Sequence, residues 1–196
     1  MASEVEICNL ALNKFGDLSI TALTDASKEA RACKVFYPIM RDLMLFSHPW
    51  NFAMKRADIS AQVTTAPAFG FDYAYTLPAD CHRVWELYGS TVEWVVESGQ
   101  LLTDQEEEIY IRYIRKVTES GYFSPAFVDC LGTRLASELA LKLGKDAKMA
   151  AYLLDRLDKI DLPQARMLNA MEGNRPKTDG EKELADGSYS WVTEGR

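Results

Sequence analysis

The sequence predicts an α+β fold that is mainly α: a four-helix bundle with a β-strand insert between helices two and three and an extended C-terminal tail. Three observations carry that expectation. Apolar residues recur at helical spacing before residue 48 and again between about 125 and 172. They alternate every second residue in the stretch from about 52 to 118, and all periodicity ends near Gly173.

Ser3 and Glu6 have the spacing of a capping box, and Val5, Cys8, Leu12 and Phe15 then repeat at helical intervals up to Gly16, which suits a C′ position. Helix one is therefore expected over about 3–15. From Asp17 to Asp25 the anchors Leu18, Ile20 and Leu23 stand isolated among Ser and Thr, as in an ordered loop. Asp25 or Ser27 can cap helix two, over about 27–47, where Ala30, Cys33, Tyr37, Met40 and Met44 form one stripe. Phe36, Ile39, Leu43 and Phe46 form a second stripe beside it. So wide an apolar surface must be covered on more than one side. Pro38 removes the hydrogen bond to the Lys34 carbonyl and predicts a kink rather than a break, and Ser47-His48-Pro49 ends the helix.

In the insert, over about 52–118, Phe71, Tyr73, Tyr75 and Leu77 share one face, and Ile109, Ile111 and Tyr113 alternate with Glu108, Tyr110 and Arg112. Glu97-Ser98-Gly99-Gln100 reads as a hairpin turn, and Leu77-Pro78-Ala79-Asp80 separates two strands. Ser124-Pro125 opens helix three, over about 125–143, with Phe127, Leu131, Leu135 and Leu139 inward until Gly144. Helix four, over about 146–172, starts near Asp146 and turns Ala150, Leu153, Leu154, Leu157 and Ile160 inward. Past a kink at Pro163, Ala165, Leu168 and Met171 continue it. Residues 1–174 make one domain, and 175–196 a polar, flexible tail in which Tyr189, Trp191 and Val192 cluster like a short docking segment.

A formal charge of −7 and a pI near 5.0 offer no general attraction to phosphate backbones. The acidic start Met1-Ala2-Ser3-Glu4-Val5-Glu6 is unlike a secretory leader, and no apolar run reaches the roughly 18 residues of a membrane span, so a soluble protein made in a cytoplasm is expected. Cys8, Cys33, Cys81 and Cys130 are scattered among apolar neighbours, with only His48 and His82 to assist. Small buried thiols in a reducing compartment are expected, rather than disulfides or a zinc site.

The acidic run Asp104-Gln105-Glu106-Glu107-Glu108 would diverge along the backbone as a solvated turn, and Cys81 and His82 would point to opposite faces of a strand. No G-x-S-x-G and no Gly-rich phosphate loop is present. No catalytic, cofactor-binding or metal-ligating residue and no cofactor is predicted, and the chain is not expected to be an enzyme. A carboxylate pair for glycoside hydrolysis depends on separation in space, which leaves a tail-associated peptidoglycan hydrolase as the alternative. Trp50, Phe52, Tyr73, Tyr75, Trp85 and Trp94 are first of all core candidates. With four Trp, nine Tyr and eight Phe in the chain, some aromatics are expected at subunit contacts, and Trp50, Phe52, Tyr73, Tyr75, Tyr189 and Trp191 are the candidate interaction residues.

Several segments resemble one family. Asn9-Leu10-Ala11-Leu12 through Phe15-Gly16, Ile20-Thr21-Ala22-Leu23, Tyr37-Pro38 and Arg41-Asp42-Leu43-Met44-Leu45 are similar to the tail tubular protein A, or head-to-tail adaptor, family of short-tailed, T7-like bacteriophages. His48-Pro49-Trp50-Asn51-Phe52-Ala53, the stretch from Tyr75 to Val84, and Gln164-Ala165-Arg166-Met167 extend the likeness, which spans roughly residues 5 to 172. The family's last helix is uninterrupted, whereas this chain carries Pro163 there. The resemblance implies a homo-oligomeric ring, commonly twelvefold, in the virion tail. Such a ring binds the portal protein above and the tail nozzle protein below, and often helps seat tail fibres. DNA would pass through its lumen without specific binding, and an acidic wall suits that passage. Another connector or tail-completion protein is the neighbouring alternative.

Overall fold

Ser3 caps the first helix with both bonds of the expected box: its Oγ accepts from the Glu6 N–H at 3.2 Å, and the Glu6 carboxylate accepts from the Ser3 N–H at 2.6 Å. This computed structural model describes residues 2–16, 18–60, 63, 67–106, 109–143 and 147–172. Helix α1 spans Glu4–Asn13 and α2 spans Lys28–Ser47, running through Pro38 as one helix. Ser27 caps α2, while Asp25 accepts from the N–H groups of Thr21 and Ala22 and so shapes the loop before it. Helix α3 (Pro125–Lys142) has Ser124 as N-cap and Pro125 at its start. Helices α4 (Ala147–Arg156) and α5 (Leu162–Met171) are joined by a π-helical turn, Leu157–Asp161.

The four-helix bundle does not form. Of the described residues 49% are helical and 20% lie in strands, and the helices do not close around a common seam. Helix α3 is instead a hub against which α1, α2, α4 and α5 each pack, while α1 and α2 barely meet. Gly132 on α3 permits a close approach of α1: a Cβ there would lie 2.9 Å from Leu10 Cδ2. The core is centred on rings, with Phe127 against Trp50, Phe52 and Phe123 at centroid distances of 5.2, 5.0 and 4.9 Å.

The kink expected at Pro163 is taken up by the π turn before it. A wider turn relieves the clash of the proline ring with the preceding carbonyls, and the missing N–H leaves no donor stranded. The turn also changes which side chains face inward. Ala150, Leu153, Leu157, Asp161 and Ala165 are buried, and from Leu153 onward their spacing of four drifts away from the α-helical period. Ile160, Leu168 and Met171, expected inward, are exposed as a result.

Six strands lie between α2 and α3 among the described residues: β1 (Met54–Ile59), β2 (Tyr73–Thr76), β3 (Cys81–Leu87), β4 (Trp94–Glu97), β5 (Gln100–Thr103) and β6 (Ile109–Arg115). They form two antiparallel sheets, ordered β1-β6-β3 and β2-β5-β4. At the β4–β5 hairpin Ser98 and Gly99 both have positive φ, 49° and 75°, which is the twist a two-residue turn requires. Both sheets contribute to a second core, with Tyr75 and Leu101 meeting Val84, Leu87, Ile109, Ile111 and Tyr113. Strand β6 joins the two cores. Its alternating Ile109, Ile111 and Tyr113 enter the sheet core, whereas Ile114 on the opposite face enters the helical one.

The ends expected at Gly144 and Asp146 lie outside the described residues, as do Asp17, Glu107, Glu108 and the whole stretch from Gly173 to Arg196.

Candidate assembly surfaces

Helix α2 presents two apolar faces, and only one of them is covered. Ala30, Cys33, Tyr37, Met40 and Met44 are buried in the helical core. Val35, Ile39, Leu43 and Phe46, spaced four, four and three apart, line the other side and are 58%, 49%, 52% and 47% exposed. Phe36, counted with this stripe from the sequence, packs against the core instead. Val35, which the sequence reading left out, takes its place, and its i, i+4 relation to Ile39 was the available signal.

A second uncovered face lies on the π turn and α5, where Ile160, Met167, Leu168 and Met171 are exposed. The two faces belong to different helices and carry different residues. A second copy can cover each face with the other, head to tail, or with its like across a dyad.

The C-terminal half of α2 is also the joint between helices and sheets. The Asp42 carboxylate receives Arg41 and Lys116, each at 2.8 Å. Burial works against its ionisation, but those two hydrogen-bonded cations hold its carboxyl below the usual range. The Asp42 carbonyl lies 3.0 Å from His82 Nε2, and Arg83 donates to the Phe46 carbonyl at 3.2 Å. The Arg83 guanidinium also sits 5.1 Å from the Phe46 ring centroid and 5.6 Å from that of Trp85. On the outer face of the first sheet, Arg56, Asp58, Tyr88, Tyr110 and Arg112 border a concavity of about 380 Å³.

Of the aromatics singled out from the sequence, Trp85, expected in the core, is 40% exposed, Trp94 is half-buried against the sheet core, and the candidate interaction residues fall as follows. Trp50 is fully buried and donates from Nε1 to the Met44 carbonyl at 2.9 Å, and Phe52 packs beside it against Phe123 and Phe127. Tyr75 is buried between the sheets with its hydroxyl donating toward the Gln105 and Glu106 carbonyls, and Tyr73 is half-buried against the same core. These four spend most of their surface inside the subunit. Tyr189 and Trp191 lie outside the described residues.

All four cysteines are free. Cys8 and Cys33 are both buried in the helical core, and the neighbouring Cys33 thiol together with burial raises the Cys8 thiol pKa. Burial also raises Cys81 to about 11 and Cys130 to about 12. Cys81 and His82 diverge, the first toward the sheet core and the second toward α2. Among the described residues no group of three His, Cys, Asp or Glu side chains converges as metal ligands, and no helix is long and apolar enough to cross a membrane.

Compared with known protein families and with curated proteins, the sequence matches none.

Proposed function

We propose that this chain is a structural protein of a short-tailed bacteriophage virion, a ring-forming adaptor that joins the portal protein to the tail nozzle protein and gives the genome a passage. The observation that carries the reading is the pair of uncovered apolar faces, one on α2 and one on α5. At about 200 Å² for a fully exposed side chain of this size, the α2 face leaves roughly 400 Å² uncovered, near the largest patch an ordinary monomer shows. The α5 face adds about as much again, and joining the two comes close to the roughly 1,000 Å² at which an interface becomes specific.

In the proposed ring each subunit offers one face and receives the other, so the contact is heterologous. Such a contact closes into a ring when the rotation between subunits divides a full turn, and twelve copies is the number the family resemblance implies. That resemblance, carried by segments such as Pro49-Trp50-Asn51-Phe52-Ala53, supplies the portal and nozzle as partners. The net charge of −7 per subunit favours a lumen over which DNA slides.

Native mass spectrometry and negative-stain imaging of the full chain, alone and mixed with portal rings, test the proposal. Closed cyclic particles of one stoichiometry are expected, either free or seated on the portal. A chain that stays monomeric at high concentration and never engages a portal ring refutes it.

A further inference from the structure

Three cations surround an apolar hollow for which the helices themselves have no use. Lys28 and Arg31 stand at the start of α2 and Lys142 at the end of α3, around a concavity of about 800 Å³ whose apolar wall includes Leu18, Val35 and Leu143. Positive charge at the beginning of a helix opposes its dipole, so Lys28 and Arg31 gain nothing from the field of α2, whereas Lys142 in the last turn of α3 is favoured by its field. Among the described residues, none of the three cations is in an ion pair; Arg31 donates only to the Ala26 and Ser27 carbonyls. Glu29 is the one carboxylate in the lining.

The sequence holds a segment of matching chemistry. From Asp179 to Val192 it places four carboxylates, Asp179, Glu181, Glu183 and Asp186, against the single cation Lys182, and closes on Tyr189, Trp191 and Val192. The segment is tethered within reach. The Asn51 amide donates to Asn169 Oδ1 at 2.8 Å and its side chain to Glu172 at 3.3 Å, which fixes the end of α5 beside the end of α2. From Ser47 back to Arg31 is sixteen residues of helix, or about 24 Å at 1.5 Å per residue. Seventeen residues separate Glu172 from Tyr189, and a flexible chain of that length has a root-mean-square span of about 23 Å.

We propose that Asp179–Val192 docks on the Lys28–Arg31–Lys142 groove of its own chain, its carboxylates against the cations and its aromatic end against Leu18, Val35 and Leu143. Tethering raises the local concentration of the segment to the millimolar range, so weak contacts suffice to hold it. Both halves of the contact belong to one subunit; the segment shares Val35 with the uncovered α2 face and leaves Ile39, Leu43 and Phe46 open to a neighbour.

Replacing Trp191 by a photo-crosslinking benzoylphenylalanine in the full chain, then irradiating an equal mixture of isotopically heavy and light protein, tests this by mass spectrometry of the crosslinked peptides. Crosslinks to the peptides holding Val35 or Leu143 are expected, within chains of one isotope only. Their yield should fall at least about fivefold in about 1 M salt, where charges are screened beyond about 3 Å. It should fall as far in the R31E/K142E variant and be retained in R31K/K142R. The salt arm needs no altered groove and stands even where the charge-reversed chain fails to fold. Crosslinks to any other surface, crosslinks between heavy and light chains, no crosslink, or a yield indifferent to salt would each overturn the proposal.

Discussion

Leu43→Glu separates assembly from folding. Leu43 is 52% exposed on the uncovered face of α2, so a neighbour that covers it removes about half of its side chain from water. Fully burying a leucine contributes about 1.5–3 kcal/mol, and the exposed half therefore about 1–1.5 kcal/mol. A glutamate in that place loses this contribution and adds the cost of an unpaired carboxylate at a dry contact, in total about 3–5 kcal/mol per interface. Dissociation constants should rise by about 10² to several times 10³-fold. Glutamate and leucine have similar helix propensity, so the isolated subunit should keep its stability within about 0.5 kcal/mol. Sedimentation velocity over a hundredfold concentration range reads the first effect, and a thermal melt followed by circular dichroism reads the second.

Met167→Glu on α5 should behave in the same way, and the mixture of the two variants discriminates further. Each variant retains the face that the other has lost, so a head-to-tail contact allows them to pair once and no more. Unaltered assembly of Leu43→Glu, or a mixture no larger than either variant alone, would refute the pairing of these faces. A melt lowered by many degrees would show instead that Leu43 belongs to the core.

Three further outcomes follow from the interior. His48 is half-buried beside Trp50, and burial first, then the Arg166 charge, holds its pKa below the ordinary 6.5. The unfolded chain then binds a proton that the folded one resists, so stability is fully present above about pH 6.5 and declines as pH falls toward the lowered value. Urea melts between about pH 7 and pH 5 should show that slope, and His48→Gln should flatten it. Gly99 has a φ of 75° and open space where a Cβ would stand, so Gly99→Ala should cost only backbone strain, about 1 kcal/mol, and Gly99→Asn less, by urea melts. Phe127 is fully buried among three rings, and Phe127→Ala should cost about 3–5 kcal/mol in the same measurement, with Phe127→Leu well below that.

Elements whose causes are local were readable from the sequence. The Ser3–Glu6 box, the Ser124-Pro125 start and the Ser98-Gly99 turn depend on residues within four positions of one another, and each forms with the chemistry its residues dictate. The alternation of Ile109, Ile111 and Tyr113 was equally legible, because one face of β6 is buried along its length. The bundle was not, since helical periodicity says that a face is covered but not by which partner, and here α3 covers most of them. The inward side of α5 was misread for a geometric reason: one wide turn ahead of Pro163 rotates everything after it, and no residue pattern announces that rotation. The two stripes of α2 were visible, along with their need for cover on two sides. What remained hidden was that the subunit covers only one of them.

The angle between the two uncovered faces is set by the interior, away from the faces themselves. Helix α5 is held to α3 through Asp161, which accepts from Thr133 at 3.0 Å, while Lys14 of α1 donates to the same Thr133 at 2.7 Å and to Asp129 at 2.6 Å. Helix α2 meets α3 through the hydrophobic core, and its C-terminal half is fastened to the sheets through Asp42, His82 and Arg83. A head-to-tail assembly closes only if each copy repeats the same rotation, so an error of a few degrees per subunit would open a ring into a helix. Close-packed cores resist such small rotations, whereas exposed side chains adapt to them. If the proposed ring forms, the buried residues of α3 select its size, and the exposed residues of α2 and α5 decide only how tightly neighbours hold.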